Sequence, residues 1–294
     1  MKYFLLICCS ALLWAGCTKY EHVPGQPSTG DWLLTKIYEQ LPGKTEYIKE
    51  EFIYPAGGDQ PWVNLSCAPN YRNGIDTIRR DTFTYDSQRR VSQINSWLSG
   101  FPPQRMIKRI HYNANNQMDT LRVYTVSGSN GQQLLSGTHV FVYSGTSVRQ
   151  YAYYTMNEFP MVDSFRYTYI GNNLAEWRTL NEGQWGGYTL SDVIDYNNYD
   201  TCNNVYRYLN MNLYFPVIQD KFRYLYPPFI SRNNVRTKVM NYVEQIGSFE
   251  WAPIIKTEVY SYEKDSIGLI TSARFSEPVS NDYTNLRYQY IPAP

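Results

Sequence analysis

The chain has 294 residues, 43% hydrophobic and 16% aromatic, with 29 tyrosines. That is enough apolar surface for a folded core, and it excludes a disordered chain. Lys plus Arg number 27 against 26 for Asp plus Glu, so no net field favours nucleic acid as a partner.

The first sixteen residues stand apart from the rest. Lys2 opens the chain, and Tyr3 to Ala15 form a nearly unbroken apolar run, followed by Gly16-Cys17. A run of roughly 13 residues is short for a permanent membrane helix and fits the h-region of a signal peptide. Leu13-Trp14-Ala15-Gly16-Cys17 resembles the lipobox of bacterial lipoproteins, with Trp14 where an aliphatic residue is usual. The resemblance implies cleavage before Cys17 and acylation of its thiol and new amino group. Residues 17–31 then form the lipidated cysteine and a polar tether with two prolines and two glycines, reaching on the order of 20 Å from the membrane. The expected location is the outer membrane, on either its periplasmic face or the cell surface.

Two cysteines remain in the mature chain, Cys67 and Cys202. In an oxidising compartment they are candidates for a disulfide, which on chain-entropy grounds would contribute roughly 5 kcal/mol. Two buried thiols are the alternative.

From residue 32 onward the chain reads as a single domain built on one repeated unit. An extended segment rich in β-branched and aromatic residues ends on a tyrosine: Tyr85, Tyr112, Tyr143, Tyr169 and Tyr196, spaced 26–31 residues apart, and later Tyr262 and Tyr290. Asp, Asn, Gly and Ser follow, which close turns on their own backbone and tolerate positive φ. An apolar residue then opens the return strand, as Val91, Met118, Val148 and Leu174 do. The spacing accommodates two strands and two turns, one hairpin per repeat. The expected fold is all-β: an antiparallel meander of repeated hairpins forming one large curved sheet, a half-barrel or a barrel.

Tyr85-Asp86-Ser87-Gln88-Arg89-Arg90-Val91-Ser92-Gln93-Ile94 resembles the YD repeat, with Arg89 where that pattern has glycine. Together with Tyr169-Ile170-Gly171-Asn172-Asn173-Leu174, the set is similar to uncharacterised YD-repeat-like lipoproteins of Gram-negative bacteria. The resemblance covers roughly residues 80–290 and implies a secreted β-sheet protein. It assigns no functional residue.

The period breaks between Tyr196 and Tyr262. An irregular insertion at about 200–232 carries three prolines and an aromatic cluster, expected to plug or cap one mouth of the sheet. Tyr214, Phe215, Phe222, Tyr224, Tyr226 and Phe229 are candidates for the wall of a ligand groove, because long loops on rigid scaffolds often bind. Asp195 to Asp200 reads as an ordinary hairpin turn and lacks the central glycine of a calcium loop.

A membrane-spanning barrel needs a clean apolar lipid face. The outward candidates Arg122, Arg149, Arg166, Glu176, Arg178, Arg274 and Arg287 interrupt one. The chain carries no nucleophile elbow, phosphate-binding loop, dinucleotide fingerprint or zinc-protease motif. No catalytic residue, cofactor or metal set is read from it. The expected role is a non-enzymatic binding or scaffold protein of the cell envelope, held to the membrane by lipid, with a glycan, a lipid or an envelope protein as ligand. A lipid-carrying half-barrel and a glycan or peptidoglycan hydrolase with carboxylates assembled in the fold are the alternatives.

Overall fold

The computed structural model describes residues 31–294 apart from 71–73, 101–102, 129, 157–158, 180–191, 210, 212–230, 246–250 and 277–282. Its strands are β1 (Trp32–Gln40), β2 (Tyr47–Ile53), β3 (Val63–Pro69), β4 (Ile75–Tyr85), β5 (Val91–Leu98) and β6 (Gln104–Tyr112). Next come β7 (Met118–Val126), β8 (Gln133–Ser144), β9 (Ser147–Met156), β10 (Phe159–Ile170) and β11 (Asn173–Thr179). After β12 (Val193–Asn203) a short 3-10 turn, Val205–Leu209, precedes β13 (Asn233–Gln245), β14 (Trp251–Lys264), β15 (Ile270–Ser276) and β16 (Tyr283–Pro292). Each strand pairs antiparallel with its neighbours in sequence, and β16 pairs with β1 from Trp32–Pro292 to Gln40–Asn285. The all-β meander therefore closes into a 16-stranded barrel with no free edge.

The short turns repeat one design. At 86–90, 113–117 and 265–269 the side chain of Asp86, Asn113 or Asp265 accepts from backbone N–H groups two and four residues on. The fourth residue of each turn, Arg89, Asn116 or Gly268, has positive φ. The tighter turns after β8 and β10 place Gly145 and Gly171 at φ 56° and 59°, as two-residue hairpin loops opening on glycine require. All these turns lie on one rim of the barrel, together with both of its ends, where Ala293 N–H donates to Asp31 O (3.0 Å).

On that rim seven tyrosines reach across to the preceding strand. The hydroxyl of Tyr54 donates to Leu34 O (2.7 Å), Tyr112 to Val91 O (2.9 Å) and Tyr143 to Met118 O (2.8 Å). Tyr262 donates to Val235 O (2.7 Å) and Tyr290 to Ile270 O (2.9 Å). Tyr85 and Tyr199 do the same to Pro61 O and Leu174 O. The strands so clasped are joined by the chain only at the far rim, so the tyrosine ties the end that the connection leaves open. The clasp begins with Tyr54, a full repeat before the first tyrosine anchor of the sequence reading.

Two readings of the repeat are corrected here. Residues 195–200 lie inside β12, which bulges where Asn198 takes φ 54° and the register with β13 shifts beyond Tyr199. The expected hairpin turn is thus a bulged strand, and the clasp falls to Tyr199, while Tyr196 is buried in the core.

Apart from the 3-10 turn, every regular element among the described residues belongs to the wall. Side chains buried on one face of all the strands therefore face the lumen. Next to the tyrosine rim the lumen is apolar. Leu34, Ile37, Phe52, Ile270 and Leu286 pack on Val205, Tyr206, Tyr208 and Leu209 of the 3-10 turn, with Tyr208 edge-on to Tyr290 (centroids 5.3 Å apart). Val91, Ile94, Ile110, Leu121 and Phe141 form a second cluster, joined to the first by Met211. Phe165, Leu174, Trp177, Ile194 and Met240 form a third, joined to the second by Val148. The start of the insertion thus plugs the tyrosine rim.

Removing the Tyr112 hydroxyl leaves Val91 O unsatisfied beside a fully buried residue. Tyr112→Phe is expected to lower stability by about 1–2 kcal/mol in urea denaturation. The half-exposed Tyr153, changed the same way, is expected to shift it by less than about 0.5 kcal/mol. Arg89→Gly removes a left-handed non-glycine residue and is expected to raise stability by about 0.5–1 kcal/mol in the same assay.

Candidate functional site

Counting back from the anchors by twos follows the lumen face, since side chains alternate along a strand. Two residues before the tyrosines stand Phe52, Phe83, Ile110, Phe141 and Tyr260. Four before stand Glu50, Asp81, Lys108, His139 and Glu258, whereas four before Tyr169 and Tyr290 stand the apolar Phe165 and Leu286. On β2, β4, β6, β8 and β14 an apolar layer is therefore followed, roughly 7 Å further along the strands, by a polar one. The 3-10 turn and the apolar clusters close the tyrosine side of that layer, so it faces the opposite mouth.

The polar layer is densely paired. Glu39 takes hydrogen bonds from Tyr47 and Lys49. Arg79 holds Asp81 through Nε (2.9 Å) and Nη2 (2.8 Å). Gln150 accepts from the Tyr167 hydroxyl (2.6 Å), which turns its amide nitrogen toward His139 Nδ1 (2.8 Å). Nδ1 is therefore the acceptor of a neutral imidazole, and burial with the nearby Lys108 charge pushes the pKa of His139 down to about 4. On the opposite arc Lys238 is 1% exposed and bonds Glu258 (3.2 Å), which also accepts from Tyr260 (2.7 Å). Burial pushes the Lys238 pKa down against that partner's pull.

Glu50, Asn64, Asp81 and Ser96 form the least satisfied part of the layer. Asn64 Nδ2 lies 3.5 Å from Glu50 Oε2, a weak bond at best. Burial raises the Glu50 pKa, opposed first by Lys49. Asn64 Oδ1 and Ser96 Oγ are buried with no hydrogen-bond partner among the described residues.

A second polar knot fixes the plug. Asp200 Oδ1 accepts from Cys202 N (3.0 Å), Asn234 N (3.1 Å) and Asn234 Nδ2 (3.3 Å). Asn173 and Asn233 bond each other reciprocally at 2.9 and 3.1 Å. Asn204 caps the 3-10 turn by accepting from Tyr206 N, and Asn234 accepts from Val205 N. Four strands, β11 to β14, thus meet near the root of the insertion, where Tyr262 clasps Val235.

The residues anticipated from sequence are distributed as follows. Tyr214, Phe215, Phe222, Tyr224, Tyr226 and Phe229 fall outside the described residues, as does Cys17. Cys67 and Cys202, for which a disulfide and free thiols are both open from sequence, are free thiols, Cys67 half-buried on β3 and Cys202 buried on β12. These strands lie far apart around the wall. His111 lies on the outer face, 2.7 Å from Asp119. Glu51 points outward to Lys36 (3.1 Å), whereas its neighbour Glu50 lines the lumen.

The outer wall carries charge across its middle. Arg122, Arg149, Arg274 and Arg287 are exposed, each beside a buried lumen residue in sequence. Arg166 and Arg178 share Glu176 at 3.0 and 2.9 Å. Arg287 pairs with Glu46 (2.6 Å) and lies 3.6 Å from the centroid of the Tyr38 ring. In a lipid-facing band each arginine would cost about 2–4 kcal/mol near mid-membrane. Among the described residues no helix is long and apolar enough to cross a membrane, which leaves the strand wall as the element to judge.

No protein-family model matches the sequence, and no curated protein matches it. Among solved structures it is similar to a porin-like protein from Bacteroides vulgatus ATCC 8482, at 13% identity and TM-score 0.48, covering 89% of this chain and 100% of that one. It is also similar to a porin-like protein from Bacteroides uniformis ATCC 8492, at 10% identity and TM-score 0.36, covering 92% of this chain and 100% of that one.

The two buried titrating groups act on stability in opposite directions. His139 has a lowered folded pKa, so its contribution is present above the unfolded value of 6.5 and is lost as the pH falls toward 4. That loss is up to about 3 kcal/mol. His139→Gln is expected to flatten the acid limb between pH 6.5 and 4 in thermal melts. Glu50 has a raised folded pKa, so stability is lost as the pH rises through it. Glu50→Gln is expected to raise the melting temperature at pH 7–8, with the gain vanishing near pH 4.

Proposed function

We propose that this protein is a lipid-anchored binding barrel of the cell envelope, without enzymatic activity, whose wall faces water. The observation that carries this reading is the inside-out polarity of the wall: outward arginines and ion pairs at mid-strand, and an apolar lumen at one rim. A 16-stranded barrel embedded in a bilayer needs the reverse on its outer face. The lipobox-like Leu13-Trp14-Ala15-Gly16-Cys17 supplies the membrane attachment that such a wall does not. The likeness of its turns to those of YD-repeat-like lipoproteins agrees with this placement. The tether joins the barrel at Asp31, on the plugged tyrosine rim. The polar mouth lies at the other end, and we assign ligand binding to it.

A lipid-carrying barrel fits less well, because the apolar part of the lumen is occupied by Val205, Tyr206, Tyr208 and Leu209.

Two measurements test the proposal. Cys17→Ser is expected to move the protein from the membrane to the soluble fraction. Residues 24–294, produced without the leader and cysteine, are expected to be monodisperse in buffer without detergent. Retention of the Cys17→Ser variant in the membrane, or a detergent requirement for residues 24–294, would count against the anchor and the water-facing wall respectively.

A further inference from the structure

The lumen holds two polar atoms that the described residues leave unmatched. Among those residues Asn64 Oδ1 and Ser96 Oγ have no hydrogen-bond partner, although Asn64 and Ser96 are only 9% and 3% exposed. The register places them together: Asn64 on β3 is opposite Asp81 on β4, and Asp81 is opposite Ser96 on β5. They are therefore about 10 Å apart across two strand spacings, flanking the carboxylate that Arg79 holds. A buried polar atom without a partner costs about 1–3 kcal/mol. Two such atoms in one row mark a place that the described wall leaves open to a further partner.

Glu50 lies on the same patch, across β3 from Arg79, since Ser66 pairs with both. It keeps accessible surface, yet burial is the largest influence on its carboxyl.

The chemistry of the patch selects its occupant. Asn64 Oδ1 requires a donor, and Ser96 Oγ can both give and take a hydrogen bond. The cations Lys49, Arg79 and Lys108 are matched in number by Glu39, Glu50 and Asp81, which leaves no surplus charge to favour an ion. Phe52 stands beside Asn64 at the end of the polar row, and Phe83 and Ile94, paired with each other, lie one layer beneath Asp81 and Ser96, so the row has an apolar flank and floor. A neutral molecule with hydroxyl edges and a C–H face fits all three features. We infer that Glu50, Asn64, Asp81 and Ser96 form a lumenal binding site for a neutral saccharide, entered through the mouth opposite the plug. This rests on the binding role proposed above and names its ligand class.

The test is calorimetric titration of the full-length lipidated protein in detergent with neutral sugars: N-acetylglucosamine, chitobiose, maltose, mannobiose and galactobiose. At least one is expected to give a saturable isotherm, weakened tenfold or more by Ser96→Ala and by Asn64→Leu. Ser96→Ala adds no bulk, so its folding is secure, and its melting temperature is expected to equal or exceed that of the parent while binding is lost. If no sugar binds, water alone satisfies the two atoms and the inference is overturned, whereas the anchor and the wall stand on their own measurements. If a sugar binds and neither variant weakens it, the site is wrong but the binding role holds. If a bound sugar is cleaved and Ser96→Ala abolishes cleavage, the site is supported and the non-enzymatic reading falls.

Discussion

The barrel depends on one contact repeated around its rim: a tyrosine hydroxyl given to the carbonyl that opens the preceding strand. An antiparallel pair joined by a turn at one end is free to fray at the other. In this chain the Asx-type turns tie β4 to β5 and β6 to β7 at the tyrosine rim, while the clasps tie β5 to β6 and β7 to β8 at the same level. Every gap along that stretch is bridged by covalent chain or by phenol. The phenol must stay protonated to donate, and burial secures this by raising the pKa of Tyr54, Tyr85, Tyr112, Tyr262 and Tyr290, and that of Tyr199 to about 12. Serine cannot reach across the strand spacing, and phenylalanine offers no donor.

This contact explains which parts of the fold were legible in the sequence. Tyr85-Asp86 and Tyr112-Asn113 are visible because anchor and turn are adjacent, so one short segment specifies both. The first repeat escaped notice because Tyr54 is followed by a longer loop, residues 55–62, in place of the compact Asx turn. Tyr196 was mistaken for an anchor because the bulge at Asn198 shifts the lumen face and hands the clasp to Tyr199, an offset that spacing alone does not reveal. Closure is legible only as one alternative beside an open curved sheet and a half-barrel, because β1 and β16 meet across about 250 residues with no local signal.

The lumen site was hidden for a different reason. On β4 the inward Arg79 and Asp81 flank the outward Arg80, and on β5 the inward Ser96 precedes the outward Trp97. Polar residues on both faces erase the alternation by which a half-buried strand is normally recognised. On β2, β4, β6 and β8 the apolar residues that make a core visible stand in the two layers nearest the tyrosine rim. Once the clasp fixes which tyrosines anchor, counting back four residues recovers Glu50, Asp81, Lys108, His139 and Glu258. The information was present, but only in a frame set by the clasp.

The same frame accounts for the polarity of the whole barrel. Clasp and plug lie at one rim, where Val91, Leu121 and Leu174 are almost fully buried, while on β10, β12 and β13 the apolar packing of Phe165, Ile194 and Met240 reaches further along the strands. Further along the strands, lumen side chains must satisfy one another, and they do so through short-range pairs such as Arg79 with Asp81 and Gln150 with His139. A polar lumen of this kind tolerates an unmatched atom only where something else completes it, because the surrounding low dielectric makes an unpaired group costly. Fold stability and ligand recognition are thereby assigned to opposite ends of the barrel. The rim that carries the tether can be held rigid by tyrosines while the far half keeps its hydrogen-bonding capacity open.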